Sequence, residues 1–164
     1  MKEKTCCFIG HRCIQKNEML VANLKEVVLR LITGKGIDTF LFGRKGEFDR
    51  LCYEIVSECK KEYPHIRRVY VRAEFPYILE SFEKHLLEYY ESTYYPSKIV
   101  GAGKSVYIKR NCFMIDNAAC AVFYFDQAYT PQPFKNEHSK KSGTQIAYQY
   151  AKRKGILLEN IAEL

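Results

Sequence analysis

Three short stretches combine glycine with cationic, hydroxyl or carboxylate side chains. They are Gly10-His11-Arg12, Gly43-Arg44-Lys45-Gly46-Glu47-Phe48-Asp49 and Lys140-Lys141-Ser142-Gly143-Thr144. Glycine lets backbone approach a ligand closely. Arginine can grip a phosphate through two parallel N–H groups. Free N–H groups at a helix start favour an anion. Brought to one place, the three stretches would make a phosphate cradle. Arg12 and Arg44 are the expected grips, and His11 is a further donor. Ser142 and Thr144 can cap a helix whose N–H groups also suit an anion. Glu47 could bind ribose hydroxyls, stabilise a helix dipole or act as a general base on water. Asp49 is expected to hold the backbone of its own loop. Arg110 and Asn111 are read either as ligand contacts or as braces between a helix and a loop.

The elements that must position these residues follow from apolar spacing. Thr5–Ile9 (TCCFI), Thr39–Phe42 (TFLF), Arg67–Val71 (RRVYV) and Cys120–Phe125 (CAVFYF) read as strands, most of them closed by glycine or a charged residue. Thr93–Pro96 reads as a brief strand and Ile156–Ile161 as an edge strand. Asn17 is the expected cap of a helix carrying Leu20, Leu24, Val27, Val28 and Leu31, with Gly34 as its stop. Leu51, Cys52, Ile55, Val56 and Cys59 mark a second helix face, and 76–91 a third helix. Ser105 is expected to cap a helix through Asp116, with Ile108, Cys112 and Ile115 inward. Ser142 opens a last helix with Ile146, Ala147, Tyr150 and Ala151 inward, stopped by Gly155. Between them, 127–141 reads as a long polar loop, a length often tied to function. Strands alternating with helices predict a mainly parallel sheet of about five strands, covered on both faces in three layers. In such sheets ligands bind outside the carboxyl ends of the strands.

Composition sets the outer limits. The chain has 164 residues and a net charge of +7. That length suits one domain over residues 1–164, with enough core to fold without a disulfide framework. Ten basic and three acidic side chains fall within 98–154, which points to an anionic partner. Seven cysteines without CxxC spacing suggest reduced thiols and a cytoplasmic protein. No apolar run is long enough for a membrane span, and the N-terminal run is too short for a secretory signal. Neither GxGxxG nor GxxxxGK[ST] occurs, and Gly101-Ala102-Gly103-Lys104-Ser105 only imitates the tail of the latter. Cys6, Cys7, His11 and Cys13 cluster in sequence, but neighbouring strand residues face opposite ways. No metal and no cofactor is expected.

CCFIGHR at 6–12, GRKGEFD at 43–49, YIKRNCFMIDNA at 107–118 and SGTQIAYQYAKRKG at 142–155 together resemble the YpsA-like branch of the SLOG superfamily. The resemblance runs over nearly the whole chain. It implies a Rossmann-like fold and a site for a nucleotide or nucleotide-derived ligand. Gly10 and Arg12 match the first loop of that branch. Gly43, Gly46 and Asp49 match its GxxGxxD element, Arg110 and Asn111 its Arg-Asn pair, and Gly143 and Thr144 its final Gly-Thr. This chain has Phe42-Gly43 and Ser142-Gly143 where the family often has paired glycines. Gln145, Ile146 and Ala147 stand where the LOG enzymes of the superfamily carry a catalytic glutamate, which speaks against their phosphoribohydrolase chemistry.

Three functions fit these residues. The first is a sensor module that holds a nucleotide, an ADP-ribose-like or an NAD-like compound without turnover. The second is a nucleotide hydrolase acting on an N-glycosidic or phosphate bond, with Glu47 as base. The third is binding of single-stranded DNA, as in the DprA branch of the superfamily, through the basic 98–154 region. A small anionic nucleotide-like ligand ranks ahead of nucleic acid as partner, no membrane partner is expected, and a homo-oligomer is compatible with the reading.

Overall fold

In the computed structural model, residues 2–128 and 141–164 are described. Their elements alternate along the chain. They are β1 (Thr5–Gly10), α1 (Glu18–Lys35), β2 (Thr39–Phe42), α2 (Glu47–Glu62), β3 (Arg67–Val71), α3 (Glu80–Leu86), β4 (Ser92–Tyr94), α4 (Val106–Asp116), β5 (Cys120–Tyr124), α5 (Gly143–Lys154) and β6 (Leu157–Asn160). The six strands form one sheet in the order β4-β3-β2-β1-β5-β6. Every neighbouring pair is parallel. This is an α/β, Rossmann-like architecture. The expected mainly parallel sheet of about five strands is met with six, because the short edge strands β4 and β6 both join the ladder.

Strand alternation sorts the core into two layers. On β1, Cys6 and Phe8 face one side, with Phe40, Phe42, Tyr70 and Val122 from neighbouring strands. There α1 and α2 supply Leu24, Val28, Phe48, Cys52 and Val56. Cys7 and Ile9 face the other side with Leu41, Val71 and Phe123, under Met114 and Ile115 of α4 and Ala147 and Ala151 of α5. Burial on both faces is why the central strands read as continuous apolar runs. Each fully buried large apolar side chain contributes roughly 1.5–3 kcal/mol. No described helix is long and apolar enough to cross a membrane.

Helix ends follow local chemistry. Asn17 accepts the Leu20 N–H at 2.8 Å, and Ser142 accepts the Gln145 N–H at 3.0 Å. Gly155 stops α5 with φ 70°. The expected stop of α1 at Gly34 is corrected to Gly36, which takes φ 68° while the Ile37 N–H returns to the Leu31 carbonyl. The helix expected over 76–91 shrinks to α3, seven residues long. Phe75 stands at φ 59° before Pro76, its carbonyl is held by Arg72 Nε at 3.1 Å, and Leu79 is still extended. At the far end Tyr90 leaves the helix to pack on Phe42 and Tyr53. On α4 the inward residues are Arg110, Met114 and Ile115, whereas Ile108 and Cys112 are only half-buried. On α5, Ala147 and Ala151 point inward as expected, with Ile146 and Tyr150 half-buried. Most of the loop read at 127–141, Lys140 included, lies outside the described residues.

The sheet order places β2 and β5 on opposite sides of β1, so the chain changes winding direction there. A crevice opens at the carboxyl end of β1, beside the residues that follow β2, the place where ligands collect in such sheets. Gly10 ends β1 at this crevice, and its backbone lies against Phe48 of α2. A Cβ at residue 10 would stand 2.3 Å from Phe48 Cδ2. Gly10→Ala is therefore expected to destabilise the fold by about 1–3 kcal/mol. Urea titration should show that Phe48→Leu combined with it costs less than the two single changes added together.

Candidate functional site

The crevice is a cleft of about 330 Å³. Its floor is the end of β1, where Phe8, Ile9 and Gly10 lead into His11, Arg12 and Cys13. Gly43, Lys45 and Asp49 line one flank, Tyr107, Arg110 and Asn111 of α4 another, and Ser142, Gly143 and Thr144 the start of α5 a third. The size lies at the lower end of the roughly 300–1,000 Å³ typical of small-molecule sites.

The start of α5 borders the cleft. Ser142 and Thr144 are buried, and the Ser142 hydroxyl occupies the Gln145 N–H. Gly143 is exposed, and a Cβ there would meet nothing among the described residues within 4 Å. Its missing side chain keeps the helix N-terminus open toward the cleft.

The other glycines answer to protein neighbours. At residue 43 a Cβ would lie 2.7 Å from Arg110 Nη2. At residue 46, with φ 91°, it would lie 2.5 Å from the Arg12 Cα. These positions, like Gly10, are glycine because the loops, α2 and α4 are packed against one another. The loops are also bonded directly. The Glu47 N–H donates to the Arg12 carbonyl at 2.8 Å, and the Ile14 N–H donates to Glu47 Oε2 at 2.9 Å.

Arg110 is 4 % exposed and braces strand ends from α4. Its Nη1 donates to the carbonyls of Gly43 and Val71, both at 3.0 Å, and its Nε donates to Asn111 Oδ1 at 3.0 Å. Burial disfavours its charge, and the nearby Asp49 carboxylate offsets part of that. Asp49 holds the other backbone group of the same residue, accepting the Gly43 N–H at 2.9 Å. Burial pushes the Asp49 carboxyl up to about 6 despite the Gly43 N–H and the Arg110 charge, which favour ionisation. His11 is 2 % exposed, and its Nε2 accepts the Asp126 N–H at 3.0 Å. Burial pushes the imidazole below its ordinary value, so it sits as a neutral ring at the cleft floor.

Ten of the thirteen expected binding residues thus line one cleft, and three do not. Arg44 takes φ 55°, and its guanidinium lies over the Tyr70 ring at 5.8 Å from the centroid. That left-handed turn directs it toward β3 instead of the cleft. Gly46 is filled on its open side by the Arg12 backbone. Glu47 carries its carboxylate to the Ile14 N–H and borders a separate shallow cleft with Lys16, Arg50 and Glu54. The base role expected of Glu47 therefore has no geometry at the cleft. Lys45 and Tyr107 line it without having been expected. Tyr107 precedes Arg110 by three residues on the same helix, a spacing that puts both on one face. That was the available signal.

No protein-family model matches the chain, and no curated protein matches it. Its backbone is similar to that in an X-ray structure of DNA processing protein A (DprA) from Streptococcus pneumoniae. The TM-score is 0.59 at 12% identity, covering 94% of this chain and 48% of that one. This chain thus spans about half the length of that protein, and the likeness is one of fold.

The buried Asp49 gives a pH signature. Its folded-state value of about 6 lies above the ordinary 3.8, so folding favours the protonated form. This contribution is full below pH 3.8 and is lost as pH rises through 6. The stability of the native chain relative to Asp49→Asn should therefore fall by about 2–3 kcal/mol between pH 4 and pH 7. Urea titrations of both proteins across that range check the sign and the size.

Proposed function

We propose that the chain binds a nucleotide or nucleotide-derived ligand of the ADP-ribose or NAD type, as a sensor module without turnover. One observation carries the reading: the open start of α5 at Gly143 shares a cleft with Arg12 and Lys45 at the winding switch beside β1. Helix N–H groups and two flexible cations suit a phosphate, and the apolar floor of Phe8 and Ile9 suits a flat organic group. The resemblance of the sequence motifs to the SLOG superfamily supports the same ligand class.

The hydrolase reading through Glu47 loses its base, since that carboxylate serves the 11–14 loop. Binding of single-stranded DNA is a second reading, favoured by the fold likeness to a DNA processing protein and by the basic 98–154 region. It would show affinity for a labelled oligonucleotide that falls steeply with salt.

Calorimetry of the full chain with AMP, ADP, ATP, ADP-ribose and NAD tests the first reading. At least one should bind below millimolar concentration without being consumed. Gly143→Val should weaken that binding by about tenfold or more by covering the helix N–H groups. Its melting temperature should stay near that of the native chain, because the added side chain meets open space. Absence of binding across the panel overturns the reading.

A further inference from the structure

One ring in the cleft gathers an unusual amount of positive charge. Lys45 Nζ lies 5.0 Å from the Tyr107 centroid, Arg110 Cζ 5.8 Å and Arg12 Cζ 5.9 Å. These cations come from three separate segments: the loop after β1, the loop after β2, and α4. Like charges brought together repel, and the electron-rich face of a phenol ring offsets part of that repulsion. The cations are unequally neutralised. Arg110 is spent on the Gly43 and Val71 carbonyls, with Asp49 close by. Lys45 Nζ meets Glu74 Oε1 at 3.1 Å and the Tyr107 hydroxyl at 3.3 Å. Both members of that ion pair remain about two-fifths exposed. Among the described residues no carboxylate pairs with the Arg12 guanidinium, and that side chain is exposed at the cleft mouth.

Resting on the nucleotide reading above, we propose that Arg12, Lys45 and Tyr107 form a second anion subsite beside the start of α5, selecting a ligand with two linked phosphoryl groups over one with a single phosphoryl group. The start of α5 and the Tyr107 cluster line the same cleft, so one diphosphate can engage both. Tyr107 is the positioning residue, holding two mobile cations over one spot. Glu74 is the protein's own anion on Lys45, and a ligand phosphoryl group competes with it for the ammonium.

Inorganic pyrophosphate and inorganic phosphate separate this proposal from the reading beneath it, because neither carries a base or a ribose. Calorimetry on the full chain should give pyrophosphate an affinity at least about tenfold above phosphate at constant ionic strength. Lys45→Met should collapse that ratio to about threefold or less, weakening pyrophosphate binding more than phosphate binding. Glu74→Gln should strengthen pyrophosphate binding several-fold, an effect a merely structural ion pair would not give. Lys152→Met removes the same charge from the far end of α5 and should leave the ratio unchanged. A ratio near one in the native chain, or one that survives Lys45→Met, overturns the second subsite. In that case nucleotide binding in the panel above still stands. If neither anion nor any nucleotide binds, both the subsite and the nucleotide reading fall.

Discussion

Arg110 is a long cation held almost out of water where two strand ends and a helix meet, and much of the site's geometry follows from keeping it there. Its Nη1 takes the carbonyl of Gly43, just past β2, and that of Val71, which ends β3. Strand ends leave such carbonyls unpaired, and a buried unpaired carbonyl is costly. The guanidinium solves that problem for two strands at once, but it needs room and a nearby negative charge. Room comes from Gly43, where any side chain would overlap the guanidinium. The charge comes from Asp49, which also takes the Gly43 N–H. Gly43 is thereby gripped at both its N–H and its carbonyl, and the cleft wall is fixed to α2 and α4 together. This work leaves Arg110 little capacity for a ligand. The other cations of the cleft, Arg12 and Lys45, lie closer to solvent.

Much of the fold was legible because the core strands are short, apolar and closed by strong breakers. The boundaries of β2 and β3 coincide with TFLF and RRVYV. Cys6 and Cys7 do face opposite layers. The failures have local causes. Residues 76–79 carry helix-spaced apolar side chains, yet Tyr77 and Leu79 are exposed and the backbone there is tied down by Arg72. Periodicity cannot register a tertiary bond of that kind. Gly34 sits inside a helix because the stop two residues later also is a glycine, and only one of them takes the left-handed turn.

The site was legible in place more than in role. Sequence motifs bring the ends of β1 and β2 and the start of α5 to one cleft. Among these glycines only Gly143 has open space beside its backbone among the described residues. At 10, 43 and 46 the backbone is approached by Phe48, Arg110 and Arg12 rather than left open for a ligand. A one-dimensional reading sees that no side chain fits; it does not see which partner occupies the space. The same limit applies to Arg44 and Glu47. Their spacing suits a phosphate loop, but a φ of 55° and a bond to the Ile14 N–H send them elsewhere.

The two bonds between the loop after β1 and the loop after β2 have a consequence for how such a chain can diverge. Glu47 is bonded to residue 12 through its backbone and to residue 14 through its carboxylate, with Gly46 pressed on the Arg12 backbone between them. An insertion or deletion in either loop would shift one set of partners against the other. Surface loops ordinarily tolerate such length changes well. Here the two loops behave as one unit of inheritance, and a related sequence that lengthens one should carry a matching change in the other.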